Sequence, residues 1–444
     1  MSEEACFTPD FREQPYWWDQ APLSMLPECS GTGAPDVAIV GGGLTGLTAA
    51  LFLLRGGRTV TVFDAADAGF GASRRNAGYL GRTLKRSVAW LREHHGEGYA
   101  IGVYRELDEA LQLVQEIVAA ESIDCHLKIC GRFIGATSPA HYEILARDLE
   151  DTGKYAGFAY HMVPRSEQHR EIASDAYFGG AVIPDLGCLH PGLYHKGLLD
   201  RVIQGGGAVR PRTEVLAVEA LSDGRKYRVR TSQGEVTARA VIIATNGYTP
   251  RRFAWHARRV IPFSAYMAAT EPIDAATMAR LLPHGRTCID SNMNANYIRP
   301  APDGSRLLFG GLTGSRTPSV KAIAVDLRRI LGRILPDLAD TRLSHAWTGQ
   351  CAGTFDFMPH IGSTNGIHHA MGYNFAGLPM GTHLGRKLAL KILGSAEGRT
   401  AFDVRLFPTA PLYRGRPWFV PLAMRYFDWH DRRIARPAVR KRAA

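Results

Sequence analysis

The sequence predicts an α/β protein in which a doubly wound, Rossmann-like sheet is interrupted by an inserted α+β region. Three observations carry that expectation. The stretch DVAIVGGGLTGLTAALFLLRGGRTVTVFD, residues 36–64, reads as strand, glycine turn, helix and strand. Strand signals return over 214–248 and end in the apolar run VIIATNGY. Residues 367–394 then read as strand, glycine-bearing turn and helix, the closing piece that a doubly wound domain needs.

Taken in chain order, residues 1–33 form an N-terminal extension. It is acidic and polar and lacks the basic start and apolar stretch of a signal peptide, so a cytoplasmic location is expected. In the glycine turn, Gly41, Gly43 and Gly46 fit G-x-G-x-x-G: a tight turn, a close backbone approach to a pyrophosphate, and close helix–strand packing. Leu44 and Thr45 open the helix, where free N–H groups favour phosphate. Asp64 closes the second strand, at the distance where an acid accepts from ribose hydroxyls; it disfavours a 2′-phosphate and so favours FAD or NAD over NADP.

Residues 86–122 read as helical, with Tyr104, Leu107, Leu111, Val114 and Ile117 along one face. Residues 125–190 are mixed. From 259 to 312 strand-like runs suggest the wall of a substrate domain, followed by a helical run over 318–335. The expected division is a discontinuous nucleotide domain (34–90, 180–250 and 344–396), a mostly antiparallel α+β substrate domain (91–179 and 251–343), and a tail over 397–444.

Composition sets the limits. With 444 residues, 45% hydrophobic and 21% charged, the chain can bury a large core. No apolar run approaches the ~20 residues of a membrane span. Seven cysteines without a C-x-x-C pair argue against a disulfide framework and against structural zinc; no metal is expected. The formal charge of +11 is concentrated in the tail: residues 425–442 hold seven Arg or Lys against Asp428 and Asp431, a net +5. That tail reads as a docked segment with a solvated basic face, and nothing points to nucleic acid.

Four further segments join the glycine turn: GFGASRRNAGYL (69–80), VIIATNGYTP (241–250), WTGQCAGTFDFMPHIG (347–362) and GYNFAGLPMGTHLG (372–385). In this order and spacing the set resembles the D-amino-acid oxidase superfamily of FAD-dependent amine and amino-acid oxidoreductases, over about residues 35–395. Within it the chain looks closest to the branch that includes gamma-glutamylputrescine oxidase, whose N-terminal extension carries aromatics like PYWWDQAP.

The resemblance implies an FAD-dependent enzyme acting on a small amine or amino acid, with dioxygen or an electron-transfer acceptor as the second partner. It places Ser73, Arg75, Asn76, Ala77 and Gly78 around the flavin, and Ala244, Thr245 and Asn246 at the turn beneath the nucleotide. Val215 would meet adenine, while Gly377 and Gly381 would aim a helix N-terminus at the flavin's pyrimidine edge. Asn76 stands where relatives that attach flavin through histidine carry that residue, so noncovalent FAD is expected, with Cys351 the residue that could overturn it. Where relatives read Gly-His-Gly, this chain reads Phe375, Ala376, Gly377.

For the substrate, Tyr266, Tyr297 and Arg299 are the candidates: Arg299 to grip a carboxylate and a tyrosine to orient the amine. Packing of the outer sheet face accounts equally well for Tyr297 and Arg299. His190 and His360 border motifs and read as structural. No lysine occurs between Lys226 and Lys321, which removes the lysine-assisted oxidase mechanism of sarcosine-oxidase-like relatives from that wall. A noncatalytic or partner-dependent electron-transfer flavoprotein is the alternative, motivated by the basic aromatic tail.

Overall fold

The computed structural model describes residues 3–435 apart from 24–25, 27–32, 223, 316–318 and 405. Cys29 and the basic residues Arg436, Arg440, Lys441 and Arg442 lie outside the described residues.

Three short apolar strands, Val37–Val40, Val60–Phe63 and Ala240–Ile243, form the centre of a six-stranded sheet. Their side chains are almost all buried, as expected of parallel strands covered on both faces. The order is 360–364, 367–371, 240–243, 37–40, 60–63, 208–210, parallel except for the hairpin that joins the first two. Helix Leu44–Arg55 is buried on nearly every side, held between this sheet and helix Gly377–Ile392. Within the expected 214–248 stretch, the hairpin-like part forms a separate antiparallel sheet of Val215–Ala220, Tyr227–Thr231 and Gly234–Ala238, and the buried strand is Ala240–Ile243 of the six-stranded sheet.

A second sheet has nine strands in the order 7–12, 343–353, 261–270, 307–311, 297–300, 287–290, 132–135, 180–183, 161–163. It is antiparallel except where Phe7–Arg12 runs beside Leu343–Gly353 and Arg132–Gly135 beside Thr287–Asp290. Gly180–Ile183 and Leu343–Gly353, which the sequence grouped with the nucleotide domain, lie in this sheet; a short apolar strand reads the same in either.

The helical stretch over 86–122 is two helices, Val88–His95 and Glu97–Ala120, separated at Gly96, whose φ of +84° favours glycine. Tyr104, Leu107, Leu111, Val114 and Ile117 are all buried. Helix Val420–Ala435 closes the described chain. Among the described residues no helix is long and apolar enough to cross a membrane.

Candidate active site

The glycine turn is built from contacts that leave no room for a side chain. Gly41 has φ +110°, and a Cβ on it would stand 2.8 Å from Ala244 O. At Gly46 a Cβ would meet Gly41 O at 2.0 Å, so the helix packs onto the strand only through glycine. Asp64 fastens the turn, its Oδ2 accepting from Gly42 N (2.8 Å) and its Oδ1 from Ala66 N (3.0 Å). Burial raises this carboxyl to about 6. His195 is a support the sequence did not reveal: its Nε2 donates to Gly42 O (2.7 Å), and burial, with Arg74 nearby, lowers its pKa to about 3, so it stays neutral.

A cavity of about 590 Å³ runs from this turn to the large sheet. Gly41, Gly43, Leu44, Thr45, Asp64, Val215, Ala244, Thr245 and Asn246 line its end at the glycine turn, and Ser73, Arg75, Asn76, Ala77 and Gly377 also line it. Gly46, Gly78 and Gly381 stand behind the wall as packing positions; a Cβ on Gly381 would press on Thr45 Oγ1 at 3.1 Å, and one on Gly78 on Leu189 O at 2.1 Å.

Loop 69–80 is held from several sides. Ser73 Oγ accepts from Leu44 N (2.9 Å), and Asn76 Nδ2 donates to Ala72 O and Ser73 O while its Oδ1 accepts from Gly78 N. Arg75 is locked by Phe70 O and Thr348 O and lies over the rings of Trp18 and Phe70. The N-terminal extension reaches in here: Trp17, fully buried, donates from Nε1 to Asn76 O (2.9 Å), and Arg74 donates to Pro22 O.

The three substrate candidates separate. Tyr297 lines the cavity, lies flat against Gly310, and donates from its hydroxyl to Tyr266 O (3.2 Å). Tyr266 itself points the other way, into the core beneath helix Val320–Ile334; alternation along the strand gives the cavity Ala265 and Met267 instead. Arg299 is also off the wall: it is 2% exposed and donates to Ala77 O (2.9 Å), Leu189 O (2.8 Å) and Pro300 O (3.1 Å), bracing the 69–80 loop. His190 caps helix Pro191–Gln204 by accepting from Leu193 N, and His360 faces Asp356 and stacks on Phe407. Cys351 lines the cavity, with burial pushing its thiol up to about 12.

Sequence reasoning missed two contributors. Lys85 reaches the cavity from the loop before helix Val88–His95, far in sequence from the strands searched for a lysine. The tail supplies Phe419, Val420, Ala423, Met424 and Phe427 as a roof. Helical spacing of the last four was the one available signal.

The cavity fits a flavin dinucleotide on its own geometry. Helices Leu44–Arg55 and Gly377–Ile392 both begin at its wall; Ser73 Oγ takes Leu44 N, and the other first-turn N–H groups and two positive dipole ends meet one space. One suits a pyrophosphate, the other an electron-rich ring edge.

Comparison with known proteins agrees. The model of the family described as FAD dependent oxidoreductase matches residues 36–390. Gamma-glutamylputrescine oxidoreductase of Escherichia coli is 31% identical over 410 residues, covering 89% of this chain and 93% of its own. Glycine oxidase of Geobacillus kaustophilus is 26% identical over 388 residues, covering 84% and 96%. The crystal structure of that glycine oxidase superposes with a TM-score of 0.70 over 85% of this chain and 98% of its own, at 25% identity.

Proposed function

The chain belongs to the family of FAD-dependent oxidoreductases acting on amines or amino acids, and from that premise we propose that it oxidises the substrate's C–N bond to an imine, which water hydrolyses to an aldehyde or keto acid. The observation that carries this reading is the meeting of two helix N-termini at a cavity whose far end is aromatic. FAD, when bound, supplies the hydride acceptor at flavin N5. Gly41, Gly43, Leu44 and Thr45 would hold its pyrophosphate, Asp64 its ribose, Val215 its adenine, and Ser73, Asn76, Ala77 and Gly377 the ring system.

Loss of hydride requires an unprotonated amine held close and in one orientation. Tyr297 spends its own proton on Tyr266 O, which leaves oxygen lone pairs to accept a substrate N–H. Burial raises this phenol, so it stays neutral and imposes no charge on the amine. Tyr79, also on the wall, is arranged the same way, its hydroxyl facing Ile298 O at 2.7 Å and Cys288 O at 3.0 Å. Arg299 is committed to backbone carbonyls and takes no part in gripping substrate. Attachment of FAD is noncovalent: Asn76 offers no nucleophile, and Cys351 is held as the thiol.

The test is an anaerobic visible spectrum of the purified protein titrated with polyamines, γ-glutamyl amines, N-methyl amines, and D- and L-amino acids. Bleaching of a yellow protein by any of these supports the reading. A yellow protein that none bleaches would transfer the weight to a partner-dependent electron carrier. Reoxidation in air then separates dioxygen from another acceptor.

A further inference from the structure

Phe375 breaks a backbone rule. Its φ is +78° and that of Asn374 is +48°, a conformation in which a bulky residue is a rare outlier. Such strain persists where the surroundings impose it, and it collects at functional sites. Here it turns a phenylalanine side chain, 42% exposed, into the cavity, packed on one side against Phe263 at 5.1 Å between ring centroids.

Lys85 Nζ lies 5.1 Å above that same ring. Among the described residues its one hydrogen-bond partner is Met293 O at 3.4 Å, and it makes no ion pair. The two acids whose charges act on it are already engaged: Asp290 accepts from Asn296 Nδ2 (2.7 Å) and Asn292 N (3.1 Å), and Asp431 from Met293 N (2.8 Å). The other cations of the wall are committed elsewhere, Arg75 and Arg132 to backbone carbonyls and Arg252 to Glu214 and Val215 O. A half-buried ammonium at a cavity wall, without an ion-pair partner among the described residues, is completed by an anionic group of a ligand.

The roof is apolar and is supplied from beyond the residues that the family model matches. Met424 and Phe427 of helix Val420–Ala435 face the cavity, and Asp431 pins the helix to the 291–295 loop that also lines it. No carboxylate lines this end among the described residues, so nothing there complements a second ammonium.

Resting on the proposed amine oxidation, we propose that this end of the cavity selects amines that carry both a carboxylate and a bulky apolar or aromatic side chain. Lys85 holds the carboxylate, and the side chain packs among Phe357, Phe375, Met424 and Phe427. Lys85 and Phe375 are thus specificity-determining residues, and the C-terminal helix is part of the substrate site.

The test is calorimetric binding to the holoenzyme of three unreactive or slow probes, phenylacetate, acetate and phenethylamine, beside bleaching by phenylalanine and glycine. Phenylacetate is expected to bind at least tenfold tighter than acetate. Lys85→Gln should cut the preference for phenylacetate over phenethylamine at least tenfold, and Phe375→Gly, which relieves the backbone strain, should cut the preference for phenylacetate over acetate with no loss of melting temperature. Equal binding of acetate and phenylacetate, or equal effects of Lys85→Gln on both aromatic probes, overturns the proposal even if some other amine bleaches the flavin. If no amine bleaches it, the oxidation reading itself fails, whatever the probes show.

Discussion

Gly43 faces Ser73 at the mouth of the first helix, and a Cβ there would stand 2.8 Å from Ser73 Oγ. Gly43→Val adds two more methyls where a phosphate must approach backbone, so flavin content should fall at least tenfold, about 1.4 kcal/mol or more of affinity. The ratio of visible to ultraviolet absorbance after purification reads this directly, and a variant as yellow as the parent would refute the placement. Asp64 gives a pH effect with a definite sign. Its carboxyl titrates at about 6 in the fold against 3.8 as the ordinary value. Between those values the folded chain binds the proton more tightly than the unfolded one, so FAD-free protein loses stability as pH rises through the window. The loss is at most about 3 kcal/mol and is complete above the folded value. Asp64→Asn should flatten that slope in urea midpoints measured from pH 4 to 6; an unchanged slope would assign it to other acids.

At the scale of elements, the N-terminal extension is a clamp on the 69–80 loop. Trp17 is fully buried and donates to Asn76 O, with Trp347 edge-on at 6.4 Å. Trp17→Ala should cost about 3–5 kcal/mol and release flavin. Trp17→Phe, which keeps most of the packing, should lose mainly the hydrogen bond, about 1 kcal/mol. Thermal melts and flavin retention separate the two, and equal behaviour would mean that the extension does not steady the loop. The strand–turn–helix at the start was legible because each glycine answers a local contact that any chain of that geometry meets. The substrate wall was less so: the phase of Ile261–Thr270, which turns Tyr266 inward and Met267 outward, is set by pairing with strands far away in sequence. Arg299 carried the right chemistry for a carboxylate but is consumed by three carbonyls brought together only by folding. Lys85 sits in an irregular loop with no periodic signal to mark it.

For the whole molecule, one cavity lies against both sheets and under the C-terminal helix, so FAD bound there would touch both sheets at once. By mass action, flavin at a hundredfold excess over its Kd should add about 2.7 kcal/mol. Calorimetry should show one transition that moves upward with FAD concentration; a part that melts separately and ignores FAD would show that the two sheets are not coupled through the site. The fold class could be read from the order of motifs, whereas the roof could not, because a basic aromatic helix gives no sign of what its apolar side covers.

The edge strand Phe7–Arg12 lies parallel to Leu343–Gly353, with Phe7 opposite Leu343. Parallel neighbours so distant along the chain make this among the last pairings a growing polypeptide can form. At roughly 5–20 residues per second on the ribosome, the first strand waits on the order of tens of seconds for its partner to emerge. Through that interval Trp17 has no sheet to anchor it and the 69–80 loop has no clamp. The clamp on that loop therefore cannot close until the strand over 343–353 has emerged.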